Sequence, residues 1–478
     1  MNSFTSKTRI LAGLAAVLLT AGLTACSGAG GESKIDRPVR EAEDFGGYEF
    51  VFASHWSKTY DQEAGNSAIG DEIRQRIQDV EKKYNCHISF RGSEADTFST
   101  DFATAVASGE KYGDVVETHL WWFEGPYRSN FIRPLSEVPE INWQDDTKWN
   151  GQDWFTRDGK AYGSSFTTWY FRNPVGVDNM MFYNPTILES SNQPDPQELL
   201  KKGEWTWDNF RSILKAVTKD TDGDGVPNVY GLSGMDHKLE AAALWSNGVR
   251  EIMQQTDGKF AFGYENESAY EAIQFAADLV NKDKVYKNIY DGVTSGQDWL
   301  DVNKQFKENQ YAFMIYTSTA LTDPDWLPAM EADWKLVPFP KGPKGNDYDS
   351  VKLENNSTGF VFTTTNPEQD LRKSAIIFDE LTEPFGDKTW QKYFGDTYFR
   401  DDTSFEIYEK MAEAVRYDYA PAIGIGFNYG VYISNIYTCT RLDMMTPAEA
   451  IDTLKENAKT MIDENLNSKP SATPPAEG

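Results

Sequence analysis

Residues 48–54, Tyr-Glu-Phe-Val-Phe-Ala-Ser, alternate in the manner of a strand that buries one face. Ile69, Ile73, Ile77 and Val80 then recur at helical spacing with charges between them, which predicts a helix over residues 67–84. Residues 86–90 read as a second strand. Phe98, Phe102 and Val106 mark a second helix that Gly109 closes, and residues 112–118 give a third strand. This order is that of a parallel sheet with right-handed crossovers. Such sheets take ligands beyond the carboxyl ends of their strands. Those ends carry Ser54-His55-Trp56 and Thr118-His119-Leu120-Trp121-Trp122, so polar and aromatic side chains collect where a cleft belongs.

The α/β rhythm continues without a sequence repeat. Residues 206–217 form a helix with Thr206 as N-cap. Residues 268–280 are amphipathic through Ile273, Phe275, Ala276 and Leu279, and residues 310–316 and 358–363 read as buried strands. Thr446-Pro447-Ala448-Glu449 has the spacing of a capping box with proline at the first helical position, and Ile451, Leu454, Ala458 and Ile462 continue that helix.

The N-terminus is an address. Lys7 and Arg9 precede an apolar run over residues 10–23, shorter than the roughly 20 residues that span a bilayer and suited to a secretory signal. Leu23-Thr24-Ala25-Cys26 resembles the lipobox of bacterial lipoproteins. That resemblance implies lipidation at Cys26 and removal of residues 1–25. Residues 26–43 are small and polar, a flexible tether; residues 467–478, with Pro470, Pro474 and Pro475, read as a disordered tail. Over the whole chain, 40% hydrophobic and 25% charged residues specify a bulk that is soluble and globular. With 46 Lys and Arg against 74 Asp and Glu, the net charge is −28. Such a surface repels phosphate backbones and anionic lipid, which excludes nucleic acid as a partner and leaves the lipid anchor as the only tie to a membrane. Only 3 cysteines occur, too few for a disulfide framework; Cys86 and Cys439 read either as buried thiols or as a pair.

Four stretches resemble the extracellular solute-binding proteins of ABC sugar importers, the maltose-binding-protein-like group of lipoprotein type. They are Asp158-Gly-Lys-Ala-Tyr-Gly163, Asn179-Met-Met-Phe-Tyr-Asn184-Pro185, the block Trp205-Thr-Trp-Asp-Asn-Phe210 with Asp220-Thr-Asp-Gly-Asp-Gly225 and Tyr230-Gly231, and Thr446-Pro-Ala-Glu-Ala450. Met180 and Met181 depart from the small-aromatic pair usual there. The resemblance implies an α/β, two-lobed flytrap of the periplasmic-binding-protein type. Each lobe is a mostly parallel sheet flanked by helices, and strand crossovers join the two. Crossovers are expected near residues 172–177, Tyr316 and residues 362–365. The N-terminal lobe is then 44–172 plus 316–362, and the C-terminal lobe 173–315 plus 363–466. The resemblance further implies a monomer that captures a carbohydrate between closing lobes, without catalysis, and delivers it to ABC permease subunits from the outer face of a cell membrane. A secreted carbohydrate-active hydrolase and a receptor for a non-sugar solute are the alternatives.

A sugar offers apolar C–H faces and polar edges, so its site needs flat aromatics with carboxylates at the rim. His55, Trp56, Glu117, Trp121, Trp122, Trp169, Tyr170, Asp178 and Tyr316 lie at strand ends or expected crossovers and form the candidate ligand set. Trp207, at a helix start, reads as structural. Asp220, Asp222 and Asp224 occupy positions 1, 3 and 5 of a calcium loop, with the Val226 backbone and Asn228 at positions 7 and 9, while Gly231 stands where the bidentate Glu belongs. A structural calcium and a metal-free loop held by Asx-turns both fit this pattern; no other cofactor is required. The four histidines make no short-spaced metal pair, and no nucleophile elbow, P-loop or dinucleotide fingerprint occurs.

Overall fold

A computed structural model of the chain describes residues 39–55, 65, 67–92, 95–289, 306, 308–324, 326–354, 357–423 and 443–468. The chain divides into an N-terminal unit, residues 1–42, and a body, residues 43–478. Cys26, Trp56, Cys439, the signal segment and most of the tether and tail lie outside the described residues. Among the described residues, no helix is long and apolar enough to cross a membrane.

Two sheets organise the body. In the first, Tyr48–Ala53, Cys86–Arg91 and Val115–His119 run parallel, and Thr358–Phe362 adds an antiparallel edge beside Val115–His119. Helices Ala68–Tyr84 and Ala95–Ala107 make the predicted crossovers. Ser67 opens the former by accepting the Gly70 N–H at 2.9 Å, and Asn85 closes it in the left-handed region, with φ 45°. Phe50, Phe52, Val115, Phe360 and Phe362 face one core, while Val116 and Val361 face another, as the strand period of two requires.

The second sheet has the order Tyr286–Asn288, Tyr230–Gly234, Tyr311–Tyr316, Met180–Tyr183, Lys335–Pro338. The first three strands are parallel; Met180–Tyr183 is antiparallel to both its neighbours. Trp207 is buried and stacks on Phe275 with centroids 4.1 Å apart, the structural role expected of it. Thr206 does not cap with its side chain; the Trp207 N–H goes instead to the Lys341 carbonyl at 3.1 Å. The final capping box is formed, with Glu449 accepting the Thr446 N–H at 2.8 Å.

The chain leaves the first lobe between Ser165–Phe166, paired to Trp149–Asn150, and Val177–Asp178, paired to Lys352–Leu353. The other two expected crossovers are corrected. Tyr316 ends a strand, and the chain returns to the same sheet at Lys335–Pro338, so residues 316–353 build the second lobe. Return to the first lobe falls between Leu353 and Thr358. Helix Glu368–Leu381 then buries Leu371, Ala375 and Phe378 in the first lobe's core with Phe52 and Ile73. The third crossing therefore follows Leu381. Helix Asp402–Ala414 lies back on the second sheet, where Ser404 Oγ accepts the Leu336 N–H at 3.1 Å. An apolar buried strand reads alike in either lobe, which is why the sequence misplaced these boundaries.

The third crossing is anchored at a helix C-terminus, where carbonyls lack intrahelical partners and cations are favoured. Trp169 Nε1 donates to the Leu381 carbonyl at 2.9 Å, and Thr168 Oγ1 donates to that of Thr382. Arg76 reaches the carbonyls of Glu383 and Pro384 at 2.5 and 2.9 Å. Lys148, 2% exposed, donates to the Asp379 carbonyl and carboxylate, both at 2.6 Å, and to Glu383 at 2.8 Å. Trp169 is thus core, packed on Phe166 and Phe171. Tyr170 is buried too, donating to Glu72 at 3.2 Å beneath Lys388. Neither belongs to the ligand set. Trp169→Ala should cost about 3–5 kcal/mol of stability in denaturant unfolding. A loss below about 1 kcal/mol would return Trp169 to the surface of a cleft.

Candidate functional site

The carboxyl edge of the first sheet is built on Glu117. This carboxylate is 3% exposed and accepts from Ser54 Oγ at 2.6 Å, Thr358 Oγ1 at 2.7 Å and Arg172 Nη2 at 2.9 Å. The Arg172 guanidinium lies 4.8 Å from the Phe166 ring centroid and 4.9 Å from that of Phe360. Glu117 is therefore an internal strut joining three strand ends, not a rim carboxylate. Beyond it, helix Leu120–Arg128 starts where the Leu120 N–H meets the Ser357 carbonyl at 3.1 Å. Its first turn carries Trp121 and Trp122, both half-buried. Trp122 stacks on Phe98 at 5.2 Å and meets His119 edge-on at 4.4 Å and His55 at 6.0 Å; Trp121 lies 5.8 Å from Trp122. His55, Trp121 and Trp122 thus form one aromatic group at this edge, with the buried His119 behind it.

The second sheet presents Tyr316 at its own carboxyl edge, half-buried and 4.0 Å from the Trp326 ring. Lys238, in helix Asp236–Ser246 just after strand Tyr230–Gly234, places its Nζ 5.8 Å from the Tyr316 centroid and donates to Asp178 at 2.6 Å. Asp178 also accepts the Asn179 N–H at 2.8 Å and faces Lys352 at 4.0 Å, which bonds Asp418 at 3.1 Å. Burial alone would raise the Asp178 carboxyl; Lys238 and Lys352 outweigh it and hold the group below its ordinary range. Asp178 is thus locked in a buried ion network rather than placed at a rim. Trp122 and Tyr316 both pack against a single apolar cluster that contains Val116 and Val361 of the first sheet and Met180 and Met314 of the second. The two edges together offer flat apolar faces flanked by imidazole, ammonium and hydroxyl groups.

Lys238, Lys352, Asp418 and Trp326 were not in the sequence-derived set. Lys238 had a usable signal, since it follows a parallel strand at the start of a helix, the place where ligand-facing residues collect. Lys352 and Asp418 had none, because 66 positions separate them.

The acidic loop lies away from these edges. Asp220 Oδ1 and Oδ2 accept the N–H groups of Gly223 and Gly225 at 2.6 and 2.9 Å, and Asp224 Oδ1 accepts that of Val226 at 2.8 Å. Asn228 donates to Asp222 at 3.1 Å and accepts the Thr221 N–H at 2.7 Å. The three carboxylates each bring an oxygen within 4.8 Å of the others, all exposed. Asp220, Asp222 and Asp224, with the Val226 carbonyl and Asn228, are the groups that could hold a hard cation, and the Asx-turns also satisfy the loop without one.

Two acids near the ion network, the buried Glu354 and the half-buried Glu251 with its Oε1 enclosed, are held toward their protonated forms. Burial, aided by Asp418, raises Glu251 to about 8; burial, aided by Asp178, raises Glu354 to about 7. Both lie above the ordinary carboxyl value of 4.5, so the native state keeps protons that the unfolded chain has released. Their contribution is intact below about pH 4.5 and is lost as pH rises through about 7 and 8. Burial lowers His237 to about 3, with Lys238 adding to the effect, and this opposes the trend below about pH 6.5. Glu251→Gln should therefore gain in melting temperature on the parent protein as pH is raised from 5 to 8. A constant difference would show that Glu251 is ionised throughout.

Residues 64–378, more than half of the chain, match the family described as bacterial extracellular solute-binding protein. Three solved structures share the fold. An ABC substrate-binding protein from Listeria monocytogenes in complex with cycloalternan is 14% identical with a TM-score of 0.58, covering 88% of this chain and 100% of its own. A cyclic alpha-maltosyl-1,6-maltose binding protein from Arthrobacter globiformis is 13% identical at 0.59, with 88% and 100% covered. A maltose/maltodextrin-binding domain from Bdellovibrio bacteriovorus bound to maltotriose is 14% identical at 0.54, also over 88% and 100%. No curated protein matches in sequence. The family match and the two-lobed fold agree: this chain belongs to the bacterial extracellular solute-binding proteins.

Proposed function

We propose that the protein is a lipid-anchored receptor on the outer face of a cell membrane, a monomer that captures a carbohydrate between its two lobes and delivers it to the permease of an ABC importer. The observation that carries this reading is the set of half-buried aromatic side chains at two sheet edges, His55, Trp121 and Trp122 on one and Tyr316, backed by the buried Trp326, on the other. Aromatic faces match the C–H faces of pyranose rings, and the His55 imidazole and Tyr316 hydroxyl suit their hydroxyls. The proteins of like fold from Listeria, Arthrobacter and Bdellovibrio bind cycloalternan, cyclic alpha-maltosyl-1,6-maltose and maltotriose, which favours a carbohydrate here. A non-catalytic role is supported by Glu117 and Asp178, whose oxygens are engaged by Ser54, Thr358, Arg172 and Lys238 rather than facing each other across room for a water.

A thermal-shift screen of maltotriose, cycloalternan and monosaccharides tests the ligand class, because specific binding stabilises by mass action. At least one glycan should raise the melting temperature, and Trp121→Ala should weaken that glycan by about 1–3 kcal/mol, or five- to 150-fold. Stabilisation by none of them, with a shift for another solute, would replace the sugar reading. The anchor has its own test: Cys26→Ala should release the protein into the medium or leave the precursor uncleaved, and a free Cys26 thiol in the intact mass of membrane-bound protein would contradict it.

A further inference from the structure

Besides the strands that cross between lobes, the body has a second junction between them. On the first lobe, Arg157 is 8% exposed and Glu124 is 6% exposed. Arg157 Nε donates to Glu124 at 2.7 Å, and Nη1 donates to the carbonyls of Trp154 and Thr156 at 3.1 and 2.8 Å. The guanidinium is covered from the first lobe by the Phe123 ring at 5.0 Å. Its other cover comes from the second lobe, with Tyr419 at 5.5 Å and Tyr417 at 5.9 Å. These tyrosines stack edge-on to each other at 4.5 Å, and Tyr419 packs on Phe260 at 4.7 Å. Their segment is fixed to the second lobe by the Leu353 N–H, which donates to the Arg416 carbonyl at 2.8 Å, and by the Lys352–Asp418 pair. Helix Tyr419–Ala422 lies against helix Leu120–Arg128.

At the far end of that helix Arg128 repeats the pattern. It donates to the carbonyls of Asn465 at 2.8 Å and Glu464 at 2.9 Å, and to Ser468 Oγ at 3.1 Å. These residues follow helix Pro447–Ile462, whose Ile451 and Leu454 lie in the second lobe's core, and Asn467 is tied to Phe260 by two hydrogen bonds of 2.8 and 2.9 Å. So two arginines of one lobe, Arg128 at the C-terminus of helix Leu120–Arg128 and Arg157 bonded to Glu124 within it, grip two segments of the other.

We propose that Arg157 and Arg128 form an interlobe brake: their grip on Tyr417, Tyr419 and residues 464–468 holds the lobes in the arrangement seen here, and its strength sets how readily they move. Any rotation of the lobes strips the tyrosines from a buried ion pair, which exposes apolar rings, and breaks three charge-assisted hydrogen bonds at Arg128. Two states that differ by such contacts differ in population, and a ligand that prefers one of them feels the difference as affinity. The brake rests on the reading of two lobes that move, and it involves none of the residues at the ligand-facing edges.

Small-angle scattering of the ligand-free mature protein reads the brake without any ligand, so its failure is separable from failure of the sugar reading. Arg157→Ala would strand the Glu124 charge and can unfold the lobe, so the working variants are Arg128→Ala and the double change Tyr417→Leu with Tyr419→Leu, which leave the ion pair in place. Both should keep a cooperative melting transition while their scattering curves depart from that of the parent. Combining them should enlarge the departure, and the affinity for a glycan found by the thermal-shift screen should change by about fivefold or more. Curves superimposable on the parent for the folded combined variant would overturn the proposal.

Discussion

A charge taken out of water must keep its partner beside it, and in this protein that constraint sits where the chain passes between lobes. Glu117, Arg172, Ser54 and Thr358 form one buried knot, all from the first lobe. Asp178, Lys238, Lys352 and Asp418 form the other, all from the second. Neither knot reaches across. The segments between them are held side by side by the Glu354 N–H donating to the Gly176 carbonyl at 2.9 Å. A Cβ on Gly176 would meet Ser357 Oγ at 2.8 Å and the Glu354 Cβ at 3.0 Å, so only glycine permits this approach. Each knot ties the strand ends of its own lobe, and the paired segments between the knots are joined by this backbone hydrogen bond.

The same constraint explains how the aromatics divide. Trp169 and Trp207 spend their indole N–H groups on Leu381 and Ser246 and sit among other rings, so they stabilise the lobes. Trp121, Trp122 and Tyr316 follow the carboxyl ends of parallel strands, where the sheet stops and no helix covers the rings completely. Their half-exposure is a consequence of topology, and it leaves apolar faces available on both lobes.

Much of this was legible in the chain. The first three strands, their two crossover helices and the capping box at Thr446 follow from local period and local chemistry. The carboxyl-edge rule brings His55, Trp121 and Trp122 to one edge, and the structure groups them there, because a parallel sheet fixes which ends share an edge. Glu117 and Asp178 were misread since a carboxylate at a strand end looks the same whether it faces solvent or an arginine from 55 positions away. Tyr170 and Trp169 were misread for a related reason: their partners, Glu72, Lys388 and Leu381, come from distant segments. Lobe membership after residue 316 depends on which sheet a buried strand joins, and hydrophobic pattern does not encode that choice.

Capture between the lobes requires that one ligand touch both edges in one binding event. Hydrogen–deuterium exchange of the protein with and without a stabilising glycan measures this directly. The account predicts slowed exchange at once in residues 119–122 of the first lobe and in residues 235–238 and 316–319 of the second, with little change in helix Glu368–Leu381 behind them. Protection confined to one lobe, with the other edge exchanging as in the free protein, would contradict it.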